Sequence, residues 1–262
     1  MMDLPRLCAQ VADVVGGVSA FICAEQKTFM RSAARQKGDA PHDLVSYVDL
    51  EAERRLIEGL GPLVHGAGFI AEENHQAYKQ GLNWIIDPLD GTTNFIQGLP
   101  FHAVSVALAH DSDLLLGVVA DNMHGDIYHT WQGGPALCKG QAIGVSTNRS
   151  LDTSLVATGF SVKDHAQLDQ NLEVLKKWVG RTRGVRRLGA AALDLCLVAR
   201  GSFDLYYETN LSAWDVAAGA LLVANAGGRV STFGGGNDFL FGNEILATNT
   251  HLHPAAMEVL LG

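Results

Sequence analysis

The stretch "WIIDPLDGTTNF", from Trp84 to Phe95, ends an apolar run with two aspartates separated only by Pro-Leu and follows them with Gly-Thr-Thr. The run reads as a buried strand. Pro88 has a fixed φ and no N–H to donate, so the strand is expected to end there and the chain to turn. A turn in which Asp87, Asp90 and the intervening carbonyls converge is a cage for a hard cation, which takes oxygen ligands. Aspartate is also a common turn former, and on these residues alone the two readings weigh equally. Gly91 lets the backbone approach a ligand closely and Thr92 adds a hydroxyl. With Thr93 and Asn94 they read as the first turn of a short helix, whose free N–H groups attract anions. A carboxylate turn beside an amide nest is what a metal-bridged phosphate requires.

Two other acidic positions gain meaning from that company. Glu72 and Glu73 follow "GFIA" at the end of a second strand-like run. Strand alternation sends their side chains to opposite sides, so one can face a given metal while the other contacts a second metal or takes a proton from water. A Glu-Glu pair on a loop is otherwise solvated surface. Asp215, after Trp214, opens the apolar run "WDVAAGALLVANAGG", where an acid in the first turn is ordinary capping chemistry.

Composition narrows the function classes. At 262 residues, with 47% hydrophobic and 18% charged residues, the chain is globular in type and long enough for one large domain or two small ones. The net charge of -9 repels a phosphate backbone and no Lys/Arg stripe offsets it, which argues against nucleic-acid binding as the main function. The same charge repels a phosphate ester, so a site for one needs a local positive element such as metal ions. Cys8, Cys23, Cys138 and Cys196 form no C-x-x-C pair and read as small buried thiols of a reducing compartment. The N-terminal stretch carries Asp3 and Asp13 and lacks a basic leader, so it reads as neither signal peptide nor membrane span, and the expected location is the cytoplasm. His102, His110, His124 and His129 lack the spacing of a zinc or triad motif, and Gly234 to Gly236 lack the lysine of a phosphate loop.

Periodicity predicts a helix over residues 3 to 36 and a second in "DLVSYVDLEAERRLIEGL". There Leu44, Val48, Ala52, Leu56 and Leu60 form the packed face, and Glu51, Glu53, Arg54 and Arg55 fall on the wet one. Short strands follow in "GFIAEE", "WIID", "AVSVALAH", "LLLGVVAD" and "DIYHTW", with a hairpin at Asp111-Ser112-Asp113. From about residue 150 strands and helices alternate, through "SLVATGF", "LDQNLEVLKKWV", "RGVRR", "AAALDLCLVAR", "SFDLYYE", "AWDVAAGALLVANA", "GRVST", "EILATN" and "HPAAMEVLLG". An antiparallel-looking first part joined to an alternating second predicts layered α and β structure. We place the seam near residue 145, giving an N-terminal sub-domain 1–145 and a C-terminal sub-domain 146–262 of one integral unit.

"WIIDPLDGTTNF", with "AEE" upstream and "WDVAAGALLVANAGG" downstream, closely resembles the inositol monophosphatase family, within the magnesium-dependent, lithium-sensitive phosphomonoesterases that include fructose-bisphosphatase. "DLVSYVD", "GLPFHAVSVAL", "RRLGAAALDLCLVARGSFDLYYE" and "EILATN" extend the likeness over nearly the whole chain. The resemblance implies an α+β fold, an αβαβα layered sandwich, and a homodimer. It implies that Glu72, Asp87, the carbonyl of Leu89, Asp90 and Asp215 bind two or three Mg²⁺ ions, that Glu73 is a further acid near them, and that Asp49 and Thr92 help activate the attacking water. Gly91, Thr92 and Thr93 would hold the phosphate, with Glu72, Asp90 and Asp215 also facing substrate. Gly189, Ala190, Ala191 and Glu208 would line the alcohol side. Lys37 matches a basic residue of an N-terminal loop. Ala71 stands where the family usually has Gly, Asn225 where Glu is frequent, and "KGDAPHD" is about one residue long for the pattern.

The activity so implied is hydrolysis of myo-inositol 1-phosphate. Rival esters are histidinol phosphate, a nucleotide 3′-phosphate and fructose bisphosphate; nucleotide-phosphate relatives usually carry Lys at the position of Thr93, so the inositol type is favoured. A role of another class is a regulator that binds RNA polymerase or RNA.

Overall fold

The computed structural model describes residues 2–36, 44–73, 78–160 and 165–262. Helix α1 (Leu4–Gln26) starts where the Asp3 side chain accepts the Arg6 N–H at 3.2 Å, with Pro5 in the first turn. By length and composition α1 is apolar enough to cross a membrane, yet Leu7, Cys8, Val11, Val15, Val18 and Ile22 are buried within the protein. It stops well before residue 36, which corrects the longer helix expected from periodicity. Phe29 leaves the helix to set its ring against Phe95, centroids 4.9 Å apart, and Arg35–Gln36 (β1) pair antiparallel with Leu44–Val45 (β2).

Helix α2 (Tyr47–Leu60) begins at Ser46 through a reciprocal cap with Asp49, and Val48, Ala52, Leu56 and Leu60 are buried as expected. Glu53 is not on the wet face. It is fully buried, and its Oε2 accepts the Glu73 N–H at 2.9 Å.

The first sheet has seven strands that lie side by side in chain order: β3 (Gly68–Ala71), β4 (Leu82–Asp90), β5 (Ala103–His110), β6 (Asp113–Asp121), β7 (Asp126–Trp131), β8 (Leu137–Cys138) and β9 (Gln141–Ala142). Helix α3 (Thr92–Gln97) lies between β4 and β5 in the chain. Only β3 and β4 run parallel. His110 pairs with Asp113 across a two-residue loop in which Asp111 takes φ 55°, the hairpin read from the sequence.

Beyond these come β10 (Leu155–Thr158), α4 (His165–Val179), β11 (Gly184–Arg186), α5 (Ala191–Ala199), β12 (Leu205–Thr209), α6 (Ala213–Asn225), β13 (Gly228–Ser231), β14 (Glu244–Asn249) and α7 (His253–Leu261). The strands form a second sheet of five in the order β11-β10-β12-β14-β13, parallel at β10 and antiparallel at β14.

Apolar faces fix the layers. Helices α1 and α2 cover one face of the first sheet, α5 and α6 fill the space between the two sheets, and α4 and α7 cover the far face of the second. The result is the expected αβαβα sandwich. Helix α6 approaches β6 so closely that a Cβ on Gly117 would stand 2.8 Å from the Ala218 Cα, so only glycine admits the contact. The last residue of α6 is Asn225, whose Nδ2 donates to Thr130 Oγ1 at 2.7 Å and to the Trp131 carbonyl at 2.9 Å. A glutamate has no proton for that carbonyl, so the amide is matched to its surroundings.

Candidate active site

The strand carrying Asp87 and Asp90 does not stop at Pro88. It runs to Asp90, and the correction matters, because Asp87 pairs with Ser105 and Asp90 with Ala103: three steps along β4 answer two along β5. Residues three apart in a regular strand face opposite ways. The one-residue bulge absorbs the difference and turns Asp87 and Asp90 to the same face, with Pro88 where a ladder bond is not required. That face looks at α6, since Ser105 Oγ donates to the Trp214 carbonyl at 3.3 Å, next to Asp215.

Four carboxylates meet there. Asp87 and Asp90 are 1% and 7% exposed, and burial pushes both carboxyls up, Asp90 to about 7. Glu72, Asp90 and Asp215 raise Asp87 further by like-charge repulsion, and Asp215 is raised by burial, then by Asp90 and Glu72. It is Glu72, not Glu73, whose charge ranks among the leading influences on all three. Glu73 is held by its backbone N–H on Glu53. Among the described residues no three His, Cys, Asp or Glu side chains close into ligand geometry around one point.

The three aspartates are also tied to backbone. The Leu89 N–H donates to Asp87 Oδ1 at 3.0 Å, the Ala192 N–H at the start of α5 to Asp90 Oδ2 at 2.7 Å, and the Ser212 N–H to Asp215 Oδ2 at 2.6 Å. The capping reading of Asp215 therefore holds alongside the clustering. Gly91 takes φ 87°, and a Cβ there would lie 3.0 Å from the Phe101 carbonyl and 3.2 Å from that of Gly189. Thr92 and Thr93 follow in the first turn of α3. Thr92 Oγ1 is 3.0 Å from both Asp49 Oδ1 and the Leu89 carbonyl. The other Asp49 oxygen accepts from Ser46 N–H at 2.8 Å and Ser46 Oγ at 2.7 Å, while burial raises the carboxyl.

The second half of the chain supplies the opposite wall. Gly189 takes φ 85° and leads through Ala190 into Ala191 at the start of α5. Glu208 on β12 accepts from the Tyr206 hydroxyl at 2.5 Å, and burial lifts its carboxyl to about 7. Its charge is also among the influences that raise Asp90. Asn94, read from the sequence only as part of the α3 turn, joins the two walls. Its Nδ2 donates to the Phe101 carbonyl at 2.7 Å and the Leu188 carbonyl at 2.8 Å. Only its place in the Gly91-Thr92-Thr93-Asn94 turn hinted at this. His102 beneath the site is a buried core residue, its ring nitrogens 2.9 Å from Gln26 Nε2 and 3.0 Å from Asn122 Nδ2, and burial lowers it to about 4. Lys37 and the "KGDAPHD" loop lie outside the described residues.

The inositol monophosphatase family model matches residues 8–261. A putative Nus factor SuhB of Neisseria meningitidis serogroup B is 39% identical over 230 residues, 87% of this chain and 88% of that one. An inositol-1-monophosphatase of Caulobacter vibrioides is 38% identical over 230 residues, 86% of this chain and 89% of that one. The crystal structure of the extragenic suppressor protein suhB of Bartonella henselae superposes with TM-score 0.89 at 32% identity, covering 99% of this chain and 98% of that one. The family is one of monophosphatases, and a solved IMPase/NADP phosphatase structure, 23% identical to this chain, holds Mg²⁺ and phosphate. The chain belongs to the inositol monophosphatase family.

Proposed function

We propose that the chain is a Mg²⁺-dependent phosphomonoesterase that hydrolyses myo-inositol 1-phosphate to inositol and phosphate. The observation that carries this reading is the buried group Asp87, Asp90 and Asp215, whose leading charged influences are acids, Glu72 foremost among them for Asp87 and Asp90, and include no cation of the chain. Four oxygen donors that repel one another fit a hard cation better than they fit a structural core. Glu72, Asp87, Asp90, Asp215 and the Leu89 carbonyl would hold two or three Mg²⁺, and the all-oxygen donor set suits Mg²⁺ above Zn²⁺. Bound there, the metal supplies the positive charge that a protein of net charge -9 lacks for a phosphate and acidifies a water.

The chain's own groups do the rest. Gly91, Thr92 and Thr93 present first-turn amides to the phosphate oxygens. Thr92 Oγ1 takes the proton of the attacking water as its own passes to Asp49 Oδ1, 3.0 Å away. Glu73 is a further acid beside the attacking side. Gly189, Ala190 and Ala191 border the leaving alcohol, and Glu208 receives its hydroxyls. Phosphate release measured across inositol, histidinol, fructose and adenosine phosphates, with and without Mg²⁺, tests the reading. Release without metal, or none from any ester, sinks it.

Relatives of similar identity bear the name Nus factor, which favours a second reading, a regulatory role on RNA polymerase or RNA. Recovery of transcription proteins by a phosphatase-dead Asp90→Asn variant would support it. We read the chain as a cytoplasmic homodimer, which sedimentation equilibrium tests for the oligomer.

A further inference from the structure

Gly159 directly follows β10, and the parallel register that pairs Thr158 with Tyr207 sets it beside Glu208. The Glu208 carboxylate lies over this glycine. A Cβ built there would stand 2.0 Å from Oε2, 2.2 Å from Cδ and 2.3 Å from Oε1, and Glu208 supplies all the nearest atoms. Gly159 has no left-handed φ, so its backbone conformation is open to any residue. Glycine is required here for one reason, the place it leaves for a carboxylate that Tyr206 Oη holds from the other side at 2.5 Å.

We propose that Gly159 is a specificity-determining position, which sets where Glu208 presents its carboxylate to the hydroxyls of the leaving alcohol. The proposal rests on the reading of Glu208 as the residue that receives those hydroxyls. A methyl at 159 meets first the far end of the Glu208 side chain, which has to move, and replaces no residue of the carboxylate cluster or of the α3 turn. The polyol ester then loses a positioned acceptor, whereas an ester without alcohol hydroxyls has none to lose. Arg187, its guanidinium 5.2 Å from the centroid of the Phe160 ring next door, lowers the Glu208 carboxyl against burial and borders the same platform.

The test compares kcat/KM for myo-inositol 1-phosphate with kcat/KM for phenyl phosphate, both in saturating Mg²⁺. In Gly159→Ala the ratio is expected to fall about tenfold or more, chiefly through a higher KM for the inositol ester. Glu208→Asp retracts the carboxylate by one methylene, so adding the 159 methyl in that background should lower the ratio little further, a non-additive cycle. An unchanged ratio in Gly159→Ala, or strictly additive effects, overturns the proposal. A crystal structure of Gly159→Ala judges the packing without turnover: the proposal fails if the carboxylate stays in place or if the variant does not fold. A wild-type protein inactive on every ester instead defeats the phosphatase reading, and the crystal structure still decides the packing.

Discussion

Glu51 and Asp87 are carboxylates of one chain with opposite circumstances. Glu51 lies on the solvent side of α2 between Arg54 and Arg55, at 2.8 Å from each, and those partners hold its carboxyl down at about 2. Asp87 lies at the buried end of β4, where its charged neighbours are Glu72, Asp90 and Asp215 and its carboxyl is pushed well up. Ion pairs on a surface adjust by rotating long side chains and contribute little. A buried group of like charges has no such escape, and holding it in place costs stability unless a cation arrives from outside. The charges on the surface of α2 are thus balanced within the chain, and those at the end of β4 fit the proposed cation.

The largest expected effect breaks the buried side of this contrast. Asp90→Asn and Asp215→Asn should each lower the rate by about three orders of magnitude or more, since each removes a charge that would hold metal and phosphate together. Neither should unfold the protein; without divalent cation their melting temperatures should equal or exceed that of the wild type, because a repulsion is relieved. Unfolding of these variants would return the aspartates to a structural role.

Next in size is a pH dependence. Asp90 and Glu208 rise to about 7 from ordinary values of 3.8 and 4.5, and Asp87 and Asp215 rise in the same direction. A carboxyl whose folded pKa lies above its unfolded one favours the fold when protonated. That stability is fully present below about pH 4 and lost as pH rises through about 7. Metal-free protein should therefore melt at lower temperature as pH climbs from 4.5 to 8, beyond the common drift of surface groups. Mg²⁺ at 100 times its dissociation constant should restore about 2.7 kcal/mol at neutral pH. Melting curves with EDTA or with Mg²⁺ that run parallel across this range would defeat the claim that the cluster binds the ion.

Much of this contrast was legible in the residues. The motif from Trp84 to Phe95 located the buried strand with its two aspartates and the short helix after it, and alternation from residue 150 located the helices that became α5 and α6. Three features were not legible, and each depends on a partner distant in sequence. The bulge at Asp87 to Asp90 exists because β5 answers three residues with two, and periodicity within β4 cannot register a slip measured against another strand. Glu53 reads as a wet-face acid until Glu73, twenty residues on, brings its N–H to it. Asn94 reaches carbonyls of Phe101 and Leu188, one in each half of the chain.

Asn94 and Asn225 sharpen the comparison from the neutral side, as amides whose protons meet carbonyls. Asn94→Ala leaves the Phe101 and Leu188 carbonyls without their donor and should cost about 1–3 kcal/mol in urea unfolding, with a further loss of kcat because the two walls of the site lose their tie. Asn225→Asp puts an acid in place of this amide. It should cost about 1–2 kcal/mol without touching kcat, since Trp131 presents a carbonyl and not a donor. A neutral or stabilising Asn225→Asp would show that the Trp131 carbonyl finds another partner.

The smallest effect is expected where the pairing looks richest. Glu51 accepts from Arg54 and Arg55, and Arg54 also contacts Glu58 at 2.5 Å, so a drawing of α2 shows a full ladder of charge. All of it faces water, where screening and side-chain entropy cancel most of the attraction. Glu51→Gln should leave the urea midpoint and the turnover unchanged within error, in low salt and high. Glu53→Ala, two positions along the same helix, should be plainly destabilising, because it empties a fully buried side-chain position and takes the acceptor from the half-buried Glu73 N–H beside Glu72. Should Glu51→Gln prove the worse of the two, the division between a surface balanced within the chain and an interior that fits the proposed cation would not describe this helix.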